Sequence, residues 1–249
     1  MDQQNGTGSV MFAPGIAPGL TPGGSFTPVR LPGLVSWLRS DKLITLNGST
    51  VSAWGDLSGN GSNAVQATAI NQMSMGTGVK GLPCLRGAAG TYLHIDKTKF
   101  AALTAVEIFV IAKSDTSPPP MNGNILLSLS SSWFSYYGTD TVYDDLFVNT
   151  RLNAIWTLGS AATSCFCINT DIQSGTNLYH ARLNGTQKYS TSATTFTPPP
   201  IDIRIGGEGG ITLYNGDIYE VIMFNRVLST GERALVNQYV YARYGIVGA

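Results

Sequence analysis

A retaining glycosidase needs two carboxylates about 5 Å apart, one as nucleophile and one as acid. The pair nearest to that requirement, Asp217 and Glu220, is spaced by three. In a regular strand such spacing sends the two side chains to opposite faces. Asp217 then reads as part of the Asn215-Gly216 turn, and Glu220 as a structural polar residue. Acyl transfer needs a histidine beside a nucleophile. His180 shares the polar side of its stretch with Arg182, which describes an exposed or hydrogen-bonded ring, and His94 follows the same logic. Cys165 and Cys167 form Cys-x-Cys in an apolar run, on one face of a strand and badly placed to bridge each other. With Cys84 they are expected to be buried free thiols, and two histidines leave too few partners for a zinc site. No Gly-x-Ser-x-Gly or phosphate loop occurs. The expectation is a protein that is not an enzyme.

Binding has better candidates. Sugars stack on rings and pair their hydroxyls with fixed polar groups. Trp133, Tyr136 and Tyr137 lie in the run Trp133-Phe134-Ser135-Tyr136-Tyr137, and Trp156 is a further ring. The competing reading makes these rings core on one face and subunit contact on the other.

The elements that must carry these residues are strands. Charged residues make up only 12% of the chain, against a typical quarter, and Lys and Glu are too few to coat exposed helices. At 249 residues the chain suits one large β domain. The net charge is zero and no basic cluster occurs, so no nucleic-acid partner is expected. No apolar run reaches the roughly 18 residues of a membrane span, and no membrane insertion is expected. The first basic residue is Arg30, so no secretory signal is expected either. Val106, Ile108, Val110 and Ala112 alternate onto one face, as do Ile125, Leu127 and Leu129, and Tyr179, Ala181 and Leu183. Asn184-Gly185 is a hairpin turn signal. Ile201, Ile203 and Ile205 alternate with Asp202 and Arg204, and Tyr219, Val221 and Met223 are expected to oppose Ile218, Ile222 and Phe224. Ser229 and Glu232 form a capping box before one helix with an apolar stripe at Leu235, Val236, Tyr239, Val240 and Ala242, stopped by Gly245. The fold class is therefore all-β, a two-sheet antiparallel sandwich with one short C-terminal helix. Residues 1–31 differ, because their Pro and Gly oppose any regular ladder. They read as an extended arm that orders only on a neighbouring subunit, through Phe12, Pro14, Ile16, Pro18, Leu20 and Phe26, ahead of a domain over 32–249.

Four segments are familiar together. Trp54-Gly55-Asp56-Leu57-Ser58-Gly59-Asn60-Gly61 resembles a turn common in laminin-G-like, concanavalin A-like jelly-roll domains of bacterial and bacteriophage surface proteins. The stretch Asn215–Ser229 is similar to their closing strand, and Glu232–Ile246 to their terminal helix. Leu85–Ile95 resembles a strand pair that usually reads Phe-Asp-Gly before Tyr-Leu, with Arg86 standing where the pattern has Asp. The resemblance covers about residues 32–246 and implies a jelly roll used in glycan or protein binding, adhesion or architecture. Calcium in such domains sits on Asp side chains and loop carbonyls. The candidates here are Asp140, Asp144 and Asp145, with Asn149 nearby, and solvated turn residues are the competing reading. No other cofactor is expected. Glycan-cleaving relatives carry Glu-x-Asp-x-x-Glu on one strand, a pattern missing here. The expected role is a structural subunit on the surface of a bacteriophage particle assembled in the host cytoplasm, as capsid decoration, head fibre or tail component. Its partners would be other virion subunits or further copies of itself, and host-surface or environmental glycans. The alternatives are a carbohydrate-binding adhesin and, third, a glycan-cleaving enzyme.

Overall fold

A computed structural model describes residues 26–88, 90–115, 124–129, 132–137, 141–144, 162–172, 178–192, 197–208 and 212–248; at 124–125, 132–137, 141–144, 208 and 212–213 it describes the backbone alone. The strands are short, as turn residues every few positions require. In chain order they are β1 (Leu34–Arg39), β2 (Ile44–Asn47), β3 (Thr50–Trp54), β4 (Ala64–Val65), β5 (Ser74–Thr77), β6 (Pro83–Gly87) and β7 (Leu93–Ile95). Then come β8 (Ala105–Ser114), β9 (Asn124–Leu129), β10 (Ser132–Tyr137), β11 (Thr141–Asp144), β12 (Ser164–Asp171), β13 (Leu178–Leu183) and β14 (Thr186–Thr191). The last are β15 (Ile203–Ile205), β16 (Gly207–Glu208), β17 (Thr212–Leu213) and β18 (Gly216–Phe224), followed by the helix α1 (Thr230–Tyr244).

The chain is an all-β antiparallel sandwich with a single C-terminal helix among the described residues. One layer runs β6–β18–β8–β12–β13–β14, with β1 also on β18. The other runs β11–β10–β9–β15–β7–β4–β3, with β2 on β3, and β5 joins the two layers through β3 and β6. Between them lies the main core, where Val106, Ile108, Val110 and Ala112 of β8 meet Trp54, Leu93, Ile95, Leu127, Ile203 and Ile205. Each such side chain contributes about 1.5–3 kcal/mol by leaving water. A second core lies on the far side of the first layer, where Phe109, Ile111, Cys165, Cys167, Ile222 and Phe224 receive Val236, Val240 and Tyr244 of α1. Residues 26–31 close its rim: Leu31 is buried, and the Phe26 ring stands edge-on to Tyr239 at 6.3 Å. No helix among the described residues is long and apolar enough to cross a membrane.

Two bulges change faces that simple alternation assigns. In β18 the register slips between Ile218 and Glu220, so Ile218 joins Val221 and Met223 in the main core, while Tyr219 joins Ile222 and Phe224 under the helix. The expected sets are thereby exchanged at the first pair. Asp217, whose neighbours are Tyr219 and Cys84, and Glu220 consequently face the same side rather than opposite ones. Nor is Asp217 a turn residue: it is a buried strand residue held by Arg86 at 2.6 Å. In β9 the slip leaves Leu126 without its own partner, and both Leu126 and Leu127 enter the core.

Buried carboxylates fasten α1. Glu107 of β8, fully buried, accepts from Arg233 Nε and Nη2, from the Leu228 amide at 2.7 Å and from the Cys167 thiol at 3.3 Å. Glu220 of β18, also fully buried, accepts from the Trp37 indole, from Tyr239 at 2.9 Å and from Tyr244 at 2.6 Å. Burial pushes the Glu220 carboxyl above its ordinary range, against three donors that draw it down. The helix start is the capping box read from the sequence, and Arg226 grips the same Glu232 through two bonds of 2.9 and 2.6 Å. Asp56 organises the glycine-rich turn after β3: its carboxylate accepts from the amides of Trp37, Ser58 and Ser62 and from the Ser58 hydroxyl.

Removing one partner of a buried ion pair leaves the other charge stranded. Arg233→Met should therefore cost about 3–5 kcal/mol in urea unfolding, and the paired change Glu107→Leu with Arg233→Met should recover most of it. Equal losses for the single and double variants would refute the pairing. Arg226, ahead of the cap donors, lowers Glu232 from an ordinary 4.5 to about 2. Its stabilisation is complete above the ordinary value and is lost as pH falls toward the folded one. Glu232→Gln should flatten the decline of Tm across that acid window, measured by circular dichroism, and an unchanged slope would contradict it.

Candidate functional site

Strand pairing aligns one row of positions across the layer that does not carry α1. Val65 stands opposite His94, His94 opposite Arg204, Arg204 opposite Ser128, and Ser128 opposite Trp133. The neighbouring rows, Ala64–Ile95–Ile203 and Leu93–Ile205–Leu127, belong to the core. Side chains alternate in a strand, so the row through His94 and Arg204 points away from the core; Val65 is exposed and His94 and Arg204 are half-buried, while Ser128 at its far end is covered. This is why Asp202 and Arg204 alternate with isoleucines in the sequence.

Around that row the described side chains form a mixed aromatic and polar surface. The Arg204 guanidinium lies over the Tyr92 ring, 5.4 Å from its centre. The loop before β5 fixes Tyr92 by its backbone: its amide donates to Asn71, and its carbonyl accepts from Gln66 Nε2. His94 Nε2 is 3.9 Å from Asp202 Oδ2, and Asp202 Oδ1 accepts the Lys97 amide at 3.1 Å. Ile70, 85% exposed, stands on the same loop. A ring backed by a guanidinium, beside an imidazole and a carboxylate, offers both a stacking plane and hydrogen-bond partners of each kind.

The residues expected from sequence are placed only in part. Trp133, Tyr136 and Tyr137 fall in β10, one strand from the sheet edge at β11, and Trp133 ends the row just described. Their side chains lie outside the described residues, as does Trp156. Asp144 ends β11 opposite Phe134 in the backbone, with its side chain outside the described part, and Asp140 and Asp145 lie outside it altogether. Among the described residues no group of three or more His, Cys, Asp or Glu could hold a metal ion. Of the arm residues, Phe26 is described, and Phe12, Pro14, Ile16, Pro18 and Leu20 lie outside. Sequence reasoning passed over Tyr92 and Arg204. Arg204 stood in plain view as the polar partner in an alternating strand, but nothing local joined it to Tyr92. His180 is hydrogen-bonded, to Asn169 Oδ1 at 3.1 Å. The three cysteines are free and buried, and burial pushes the Cys84 thiol up to about 12.

No protein-family model matches the chain, and no curated protein sequence matches it. Solved structures share its fold. It is similar to a Trypanosoma rangeli sialidase in complex with 2,3-difluorosialic acid, at 16% identity and a TM-score of 0.64 over 92% of this chain and 36% of that one. It is similar also to domain 4 of an extracellular arabinanase from Geobacillus stearothermophilus in complex with arabinotriose, at 13% identity and a TM-score of 0.55 over 85% of this chain and 98% of that domain. A third likeness is to the binding domain of a paraclostridial mosquitocidal protein, at 12% identity and a TM-score of 0.55 over 86% and 52% of the two chains. The chain spans about a third of the sialidase's length. These likenesses are of fold, a jelly-roll-like sandwich, and none of the three is described as a virion subunit.

The expectation that the chain is not an enzyme does not stand. Its fold neighbours include a sialidase and an arabinofuranosidase. The spacing argument that parted Asp217 from Glu220 fails as well, because the bulge in β18 turns both to one side. Both carboxylates are buried and committed to contacts within the fold.

Proposed function

We propose that this chain is a glycan-binding sandwich module, and that saccharides engage the outer face of the layer that does not carry α1, at Tyr92, His94, Asp202 and Arg204. The observation that carries the reading is the row of residues facing away from the core, in which a ring-stacked guanidinium lies beside an imidazole and a carboxylate. The likeness of fold to an arabinanase domain bound to arabinotriose, over nearly all of that domain, supports it. A sugar ring presents an apolar face and a rim of hydroxyls, and this surface offers a partner for each.

The test is calorimetric titration of the full chain with arabino-oligosaccharides, sialosides and bacterial surface oligosaccharides, with released reducing ends assayed in the same mixtures. Tyr92→Ala and Arg204→Ala should each weaken binding about tenfold, the equivalent of about 1.4 kcal/mol, with unchanged circular dichroism. Binding to none of the panel, or binding that survives both substitutions, would sink the assignment.

A further inference from the structure

On the opposite side of the molecule, at the margin of α1, lies a polar group that the fold leaves incomplete. Cys167 stands directly opposite Arg182, and Asn169 directly opposite His180, so β12 and β13 form a square of four residues on the helix side of their layer. Opposed side chains in such a ladder start about 4.5–5.5 Å apart. Asn169 is 1% exposed: its Oδ1 meets His180, and its Nδ2 has no partner among the described residues. Arg182 is 8% exposed: its Nη2 donates to Gln187 at 3.3 Å, and its Nη1 has no partner among the described residues. No carboxylate among the described residues forms an ion pair with Arg182. The nearby Glu107 is already taken by Arg233, the Leu228 amide and the Cys167 thiol.

A buried guanidinium without a counter-charge is costly, and so is a buried amide with nothing to donate to. Two such groups two residues apart across one ladder are not independent accidents of packing. Burial first, then the charges of Arg182 and Arg233, holds the His180 imidazole below its ordinary value, in keeping with a positive potential left over here. Both unpartnered donors are buried, but they lie close beneath the surface, since Gln187 and Ser190 on the edge strand β14 are exposed and His180 is half-buried, so an anion reaches them by displacing the Gln187 side chain. Further along the same margin a groove of about 430 Å³ runs between α1 and the β13–β14 turn. At its wall Asn237 Oδ1 and the Tyr241 hydroxyl are again buried without partners among the described residues.

We infer that the margin of α1 over β12 and β13 is a binding site for a small oxyanion, the carboxylate or phosphate group of a ligand, held by Arg182 and Asn169 beside His180. The guanidinium Nη1 and the amide Nδ2 donate to the anion's oxygens, and the groove toward Asn237 and Tyr241 takes whatever the anion is attached to.

The experiment is thermal unfolding of the full chain in acetate, glucuronate, inorganic phosphate and sulfate, with sodium chloride holding ionic strength constant. A ligand that binds only the folded state raises Tm with the logarithm of its concentration. At least one oxyanion should do so where chloride does not, and the order among the four separates carboxylate from phosphate as the natural group. Arg182→Met should abolish the response and leave Tm in chloride at or above that of the parent chain, because it removes an unpaired buried charge. A parent chain indifferent to all four anions would overturn the site whatever the variant does. A variant that keeps the full response would overturn the role of Arg182.

Discussion

Two carboxylates buried on the central strands constrain the rest of the molecule. A desolvated carboxylate is tolerable only when its oxygens are met by donors, and in this chain those donors come from distant parts of the sequence. Glu107 requires Arg233 and the Leu228 amide, so the turn into α1 must sit at one end of β8. Glu220 requires Trp37, Tyr239 and Tyr244, which ties β1 and the second half of α1 to β18. Between the two anchors α1 has one lie, back along β18, and this lie places Val236 and Val240 on the apolar face below. Hydrophobic burial supplies most of the stabilisation, but it is non-directional. The carboxylates fix direction.

The bulge at Tyr219 is what permits this arrangement. A strand buried on both faces must supply apolar residues to the inter-sheet core and to the helix side together, and one with strict alternation would turn Glu220 away from the face that holds Ile111 and Asp217. The extra residue brings Glu220 opposite Ile111, on the helix side. It also places the Tyr219 ring 5.5 Å from that of Tyr244, with its hydroxyl on Asp217 at 3.1 Å. Arg86 departs from the motif that its segment resembles, and its position explains the departure. It bridges Asp217 and Asp115 where β6 and β8 flank β18.

What could be read from the sequence follows the range of the interaction. The capping box at Ser229 and Glu232, the turn at Asn184-Gly185 and the alternation along β8 are local patterns, and each appears in the structure as the residues imply. The Asp56 turn was legible as a motif, yet its purpose was not: four donors converge on one carboxylate and set the loop against β1. The bulges at Leu126 and Tyr219 left no mark, because an inserted residue in an apolar run looks like any other member of that run. The candidate face was hidden for a different reason. Tyr92, Arg204 and Trp133 approach one another only through the order β7–β15–β9–β10, and strand order is not a local property. Aromatic density drew attention to Trp133, Tyr136 and Tyr137, whereas Arg204 gains meaning only when its strand has neighbours.

The division of the helix-side face follows from widths. A helix with its side chains is about 10–12 Å across, and strands lie about 4.8 Å apart, so α1 cannot roof the whole of its layer. β18, β8, the near part of β12 and, on the other flank, Trp37 of β1 and Cys84 of β6 lie beneath it, and there the sequence is apolar: Phe109, Ile111, Cys165, Cys167, Ile222 and Phe224. One step further along β12 the Cys-x-Cys pattern continues as Asn169, and on β13 the same face carries His180 and Arg182. The change from thiol to amide thus marks where this face turns from apolar to polar. Beyond that line the chain has installed donors rather than methyl groups, with Asn169 and Arg182 buried and His180 half-buried. An unroofed sheet margin meant only for water has no need to bury a guanidinium, since an exposed arginine keeps its hydration at no cost. That Arg182 is drawn down against the sheet, with Gln187 as the one side-chain hydrogen-bond partner among the described residues, sets this margin apart from ordinary solvated surface.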